Sequence, residues 1–310
     1  MRRLSTMTSR KAETQGSGKA LRHRQTLIAW GFSLPFIIIF SMFMLLPLLS
    51  ALYMSFTDIT AHDLRTPFNV NFVGLQQYIA LFKDPLFRHS LLVTGTFVII
   101  GVPVTIIIAL ALAVALNKGM RHLNSFFRAL FYAPVVASVV AVSVVWRYIL
   151  QDDGLLNNVL KTIGIHGPAW LNDTHVALLA LIIMTVWRNV GTSMIIFIAG
   201  LQGMSGQVEE AASIDGCNAW QRFIHITLPL LKPTLLLSLI LVSVSYLQFF
   251  DESFVMTQGG PLNATLSASY YIYKKFGFGQ YGMSSAASWV LFIIIALVSV
   301  LQFRVMRSDD

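Results

Sequence analysis

Six long apolar runs dominate this sequence and leave few ways for it to fold. They extend approximately over Leu27–Phe56, Leu91–Leu116, Phe127–Ile149, Val176–Leu201, Thr234–Phe250 and Ser285–Phe303. A bilayer core is about 30 Å thick and is crossed by roughly 20 apolar residues in a helix. Each run therefore reads as one crossing, and the chain as an all-α integral membrane protein of about six transmembrane helices. Composition agrees: 55% of the 310 residues are hydrophobic, 12% are charged, and the mean hydropathy is +0.68. Soluble domains carry about 25% charged residues. The net charge of +8 does not point to nucleic acid, because basic cytoplasmic flanks give a membrane protein the same balance. The single Cys217 allows no internal disulfide and no cysteine-based metal site.

Residues 1–26 read as a basic tail, with Arg2, Arg3, Arg10, Lys11, Lys19, Arg22 and Arg24 against Glu13. The segment GSGKA (Gly16–Ala20) lacks the upstream glycine and the hydroxyl residue of a phosphate-binding loop. The apolar run that follows is too long for a signal-peptide core. With six crossings both termini share a side. That side carries twice as many Lys and Arg as the other, mainly through the tail, which places both termini in the cytoplasm. Pro35 and Pro47 predict a kink or tilt in the first crossing. The fifth runs into Asp251 and Glu252, so its far end belongs in a cavity or at the surface and not in lipid.

The connection Gln202–Pro233, between the fourth and fifth crossings, is long for neighbouring membrane helices. Val208, Ala211, Ala212 and Ile214 recur at near-helical spacing. Gly216 can end that short helix in a left-handed conformation. Trp220, Phe223 and Ile224 form a second apolar stripe, and Pro229 and Pro233 mark the turn into the next crossing. This spacing predicts a helix–turn–helix outside the membrane, with an apolar face for a partner or for lipid headgroups. Glu210 alone could be a solvated face or an acid catalyst.

Glu210–Ala211–Ala212, then Gly216, then Ile226–Thr227–Leu228–Pro229 resemble the EAA motif of the permease subunits of ABC importers. The rest of the chain resembles the carbohydrate branch of that family, the maltose and oligosaccharide type. The matching residues are Phe72–Leu75 with Tyr78, Leu81, Phe82, Asp84 and Pro85; Phe131–Pro134 and Trp146; Ala199–Gln202; and Phe250, Asp251, Thr257–Pro261 and Tyr273. Departures are Met204–Ser205, where the family often has Ile–Pro, and Cys217, where alanine is usual.

The resemblance implies the type I importer permease fold over residues 27–310, with a coupling helix within about 202–233. It implies coupling contacts from Glu209, Glu210, Ala211, Ala212, Asp215, Gly216, Leu228 and Pro229. The implied partners are a second homologous permease, two ATP-binding subunits that hold ATP and Mg, an external solute-binding protein, the lipid bilayer of a prokaryotic cytoplasmic membrane, and a small sugar. This chain itself would bind no cofactor.

Asn189, Thr192 and Ser193, next to Arg188, sit inside the fourth crossing, where polar groups either lock helices together or line a pathway. Tyr246, Gln248, Asp251 and Glu252 supply the aromatic, amide and carboxylate groups that sugars require. The seven histidines are scattered without metal-ligand spacing, and no nucleophile elbow or nucleotide motif is evident. An enzyme is therefore disfavoured. A secondary transporter would want acidic residues in several crossings, and almost none precede Asp251. Glycerol phosphate or another polar solute stays open as the cargo.

Overall fold

The structure, a computed structural model, describes residues 26, 28–65, 70–117, 121–205, 207, 208, 212 and 215–307. It separates into two units, 1–54 and 55–310. Among the described residues there is no strand, only an isolated bridge between Thr57 and Phe72.

Helix α1 spans Ile28–Ser55. The predicted disturbance at Pro47 takes the form of a π turn over Ser41–Leu45, in which the Leu46 amide bonds to the Ser41 carbonyl. Proline lacks an amide donor, and a turn widened to i→i+5 immediately before it accommodates that loss within a continuous helix.

In the second unit, α2 (Gln76–Lys83) leads into the crossing α3 (Pro85–Asn117). Next come α4 (Arg121–Val136) and α5 (Val139–Ile149), then the short α6 (Leu155–Thr162). The crossing α7 (Ala177–Gln202) is followed by α8 (Ala219–Leu230) and α9 (Lys232–Leu247). A π turn over Ser253–Thr257, α10 (Ala268–Gly277) and the crossing α11 (Tyr281–Arg307) complete the chain.

Among the described residues four helices are long and apolar enough to cross a membrane, and two bent pairs bring the number to six if each pair is one span. The third run was expected to form one crossing but is two helices, α4 and α5, that meet at 97°. Pro134 removes a donor near the end of α4, and Ser138 then takes an extended ψ of 129° before α5 starts. The fifth run, α9, is preceded by α8 at an angle of 70°.

Helix α7 is the centre of the core. Its Leu181, Met184, Met194 and Phe197 are fully buried, and α3 contributes Phe97 and Ala109. Small residues set the close approaches expected of packed membrane helices. A Cβ at Gly191 would lie 2.3 Å from the Phe131 carbonyl of α4, and one at Gly200 would lie 2.7 Å from the Thr234 hydroxyl of α9.

Outside the spans, Asp84 ties the α2–α3 corner to α10. It accepts from the Tyr271 hydroxyl at 2.7 Å and from the Leu86 amide at 2.8 Å, and it pairs with Lys275 at 3.3 Å. Burial alone would raise the Asp84 pKa, but the Tyr271, Leu86 and Lys275 contacts outweigh it and hold the carboxyl below its ordinary value.

Candidate coupling segment and substrate pathway

Helix α7 ends at Gly203, whose amide bonds back to the carbonyl of Ala199. Glu209, Glu210 and Ala211 lie outside the described residues, so their part of the predicted helix has no structural account. Ala212 is buried, and Asp215 and Gly216 are exposed. Gly216 adopts the predicted left-handed conformation, with φ +77°. The Cys217 amide reaches back to the Ala212 carbonyl at 3.1 Å, the six-to-one bond of a Schellman termination. A Cβ at Gly216 would meet no atom within 4 Å. The demand for glycine there comes from the backbone and not from crowding.

The next turn starts at once. Asn218 accepts from the Gln221 amide at 2.8 Å, and Gln221 accepts from the Asn218 amide at 2.9 Å, a complete capping box. The sequence reading had passed over this cap, although Asn followed three residues later by Gln is its signature. Helix α8 then widens into a π turn over Phe223–Thr227, closed by the Leu228 amide on the Phe223 carbonyl, just ahead of Pro229. This repeats the arrangement before Pro47. The expected apolar stripe is present, with Trp220 68% and Ile224 38% exposed. Trp220, Phe223 and Leu228 border a groove of about 700 Å³ whose other wall is Ile107, Leu110 and Val114 of α3.

Within the bundle, three of the seven expected pathway residues converge. The Tyr246 hydroxyl lies 2.7 Å from the Thr105 hydroxyl, and the Asn189 side chain also bonds to it. Thr105 gives its proton to the Gly101 carbonyl at 2.8 Å, so Tyr246 must donate to Thr105 and accept from the Asn189 amide. Glu252 is buried, and its carboxyl feels the charges of Arg188 and Asp251. Arg188 therefore faces the bundle interior; its Nε is buried without a partner among the described residues.

The remaining expected residues lie differently. Ser193 is buried and its hydroxyl has no partner among the described residues; Thr192 and Gln248 are exposed, and Asp251 is half-buried. Sequence reasoning missed Thr105 and Gly101. A Cβ at Gly101 would lie 2.3 Å from the Tyr246 ring, so this glycine makes the space in which the tyrosine sits. Phe97 and Phe249 stack beside it with ring centroids 3.9 Å apart. The result is a knot of a buried phenol and a buried carboxyl with a half-buried amide and guanidinium, where α3, α7 and the end of α9 meet.

No group of three or more His, Cys, Asp or Glu suited to a metal ion occurs among the described residues. The family described as "Binding-protein-dependent transport system inner membrane component" matches residues 89–308. The probable ABC transporter permease protein YesP of Bacillus subtilis is 36% identical over 96% of each chain. The lactose transport system permease protein LacF of Rhizobium radiobacter is 36% identical, over 94% of this chain and 98% of its own. The trehalose/maltose transport system permease protein MalF of Thermococcus litoralis is 30% identical, over 93% and 96%. Among solved structures, a chain of a bacterial ABC transporter involved in the import of alginate superposes with a TM-score of 0.76. It shares 22% identity, with 92% of this chain and 97% of that one covered. That likeness establishes the fold.

Proposed function

This chain belongs to the binding-protein-dependent transport system inner membrane components, and from that premise we propose that it carries a sugar across the membrane. It is a multi-pass inner-membrane permease subunit. In this reading it forms the translocation pathway with a second, homologous permease. Two separate ATP-binding subunits hold ATP and Mg, and a solute-binding protein delivers the sugar from outside. Both termini, and the segment 202–233, face the cytoplasm.

The observation that carries the reading is the pairing of the Gly216 turn with the capped, exposed α8. A left-handed turn followed at once by a capping box fixes the direction of α8, and the 70° bend before α9 tips it away from the axis of that crossing. A short helix held across the end of a crossing helix can turn a push from an attached ATPase into a tilt of the crossing, a rigid-body switch. Glu209, Glu210, Ala211, Ala212, Asp215, Gly216, Leu228 and Pro229 would make the contacts. In a lipid-embedded bundle the Tyr246–Asn189–Glu252 knot supplies hydrogen-bonding groups for hydroxyls, and an intramembrane ionisable group is a reason to look for a solute path.

A neutral sugar is favoured over glycerol phosphate because a phosphate ester calls for several converging Arg or Lys donors, and Arg188 alone stands in this knot. Relatives transporting lactose and trehalose/maltose, by name, support the same class. The test is ATPase activity of the reconstituted complex with a panel of neutral sugars and glycerol phosphate. Stimulation by neutral sugars is expected. Stimulation by the phosphate ester alone would overturn the cargo and keep the importer.

A further inference from the structure

A second polar cavity lies apart from the Tyr246 knot, at the end of the spans opposite to segment 202–233. It has a volume of about 370 Å³ and opens between the end of α5, the loop before α7 and the turn after the Ser253–Thr257 π turn. Arg147, Gln151, Asn172 and Gln258 line it, with Leu171, Met256 and Pro261 as its apolar part. Its size is inside the range of about 300–1,000 Å³ in which proteins hold small molecules.

Both walls are fixed by polar bonds, most of them partly buried. On one side Asn157 donates to the Asp152 and Pro168 carbonyls at 3.1 and 3.2 Å and accepts from the Trp170 indole at 2.8 Å. Asn172 donates to Asp152 at 3.0 Å, which leaves its own carbonyl oxygen as an acceptor. On the other side the Thr257 and Thr265 hydroxyls meet at 2.6 Å, Thr265 also reaches the Gly260 carbonyl at 2.7 Å and Thr257 the Ser253 carbonyl at 3.1 Å, and Ser253 donates to the Thr265 carbonyl at 2.5 Å. These bonds hold Gln258 at φ +53° and Gly259 at φ +79°. A non-glycine residue is kept in the left-handed region only where its surroundings over-determine it.

The lining groups themselves are not spent. The side chains of Arg147, Gln151 and Gln258 are exposed and make no hydrogen bond among the described residues. Amides offer a donor and an acceptor at once, which is what adjacent hydroxyls need, since each hydroxyl both gives and takes a hydrogen bond. No carboxylate lines the cavity, so a cation finds no counter-charge there. Three apolar side chains, Leu171, Met256 and Pro261, are too few to hold a lipid tail.

We infer that this cavity is a receiving site for the end of a saccharide, outside the buried knot. The inference rests on the sugar-importer reading above. Met256 is buried at the floor of the cavity, and Glu252 lies one turn earlier on the same stretch. A sugar held by Gln151 and Gln258 would therefore wait beside the stretch that carries Glu252.

The test uses the complete transporter, with its partner subunits and binding protein, in proteoliposomes, and radiolabelled lactose, maltose and trehalose as probes. The variant Gln151→Ala/Gln258→Gly removes both free amides, and glycine accepts the left-handed φ at position 258, so the turn survives. Arg147→Ala is the second variant. Uptake of whichever sugar the wild type transports is expected to fall at least fivefold in the double variant. Retention of the ATPase subunits and docking of the sugar-free binding protein should stay unchanged. Gln258→Asn, which also tolerates the left-handed region, should restore part of the rate in the Gln151 wild-type background. Undiminished uptake in both variants would overturn the site. A loss of sugar-free binding-protein docking would overturn it too, by making the cavity a protein contact. A wild type that moves none of the three sugars would instead sink the sugar reading itself, and the receiving site with it.

Discussion

The hydroxyls of Thr105 and Tyr246, 141 residues apart in the chain, meet at 2.7 Å in the buried centre of the bundle. The contact exists because Gly101, one turn before Thr105, leaves the tyrosine ring room to lie against the α3 backbone. Four elements of chemistry are thereby placed together: the phenol, the Asn189 amide, and behind them Glu252 and Arg188. The same contact joins the first helix of the core to the helix that continues from the coupling segment, so it lies on the mechanical line between the two candidate sites.

Gly101→Ala should be severely disruptive for its size. The new methyl would sit 2.3 Å from the Tyr246 ring, and overpacking of this kind costs about 1–3 kcal/mol. Tyr246→Phe removes a hydrogen bond and keeps the packing, at about 0.5–1.5 kcal/mol. Thermal unfolding of the detergent-purified complex should therefore rank Gly101→Ala below Tyr246→Phe and both below wild type. The double variant should lose less than the sum of the two, because the residues share one contact. Strict additivity would show that the ring does not occupy this position.

The Asp84 corner should make stability sensitive to acid. Its pKa is lowered in the folded protein, since the Tyr271, Leu86 and Lys275 contacts overcome the opposing effect of burial. A depressed carboxylate contributes stability that is complete above its unfolded pKa of about 3.9 and is lost as the pH falls through the folded value. The melting temperature of Asp84→Asn should thus lie below wild type by a constant amount above pH ~5, and the gap should narrow as the pH falls below ~3.9. A gap independent of pH down to 3 would mean that the ion pair contributes nothing.

What could be read from the sequence divides along physical lines. Spans depend on local apolar length, and five of the six runs were located to within several residues; α3 extends outward to Pro85, and α7 is shifted by one residue, to Ala177–Gln202. Gly216 was legible because a left-handed turn is a one-residue requirement. The 97° break at Ala137–Ser138 was not, because the run from Val135 to Val145 is apolar or small throughout and its hydropathy does not drop where the direction changes. Thr105 was not either. Nothing local separates it from hydroxyls such as Thr96, which bonds only to its own helix at Leu92; its role depends on Tyr246, far along the chain. Of the residues expected along the pathway, Asn189, Tyr246 and Glu252 come together, whereas Thr192 and Gln248 are exposed.

Topology can be tested with the native thiol. Cys217 is half-buried and free, and it belongs to the cytoplasmic side in the proposed orientation. Thr174 is exposed in the loop before α7 and belongs outside. An impermeant thiol reagent added to intact spheroplasts should label Thr174→Cys in a Cys217→Ala background, and should label Cys217 in the wild type only after the membrane is opened. Labelling in the reverse order would invert the chain and exclude an ATPase contact at 202–233.

The last prediction concerns coupling and separates backbone from side chain at Gly216. No atom lies within 4 Å of where its Cβ would be, yet φ is +77°. Any loss on substitution must therefore come from the backbone, at about 1 kcal/mol or more for most residues and less for asparagine. If this turn sets the angle of α8, Gly216→Val should lower both sugar uptake and the amount of ATPase subunit retained through purification, and Gly216→Asn should come closer to wild type in both. Trp220→Ala should act differently. It leaves the turn and the Asn218–Gln221 cap intact but removes an exposed apolar group from the face of α8, so ATPase retention should fall while the unfolding temperature of the permease itself stays within a degree or two. If Gly216→Val and Glu210→Lys both left uptake and ATPase retention at wild-type levels, segment 202–233 would not be the coupling element. Equal losses for valine and asparagine at position 216 would mean that the partner reads the missing side chain and not the turn.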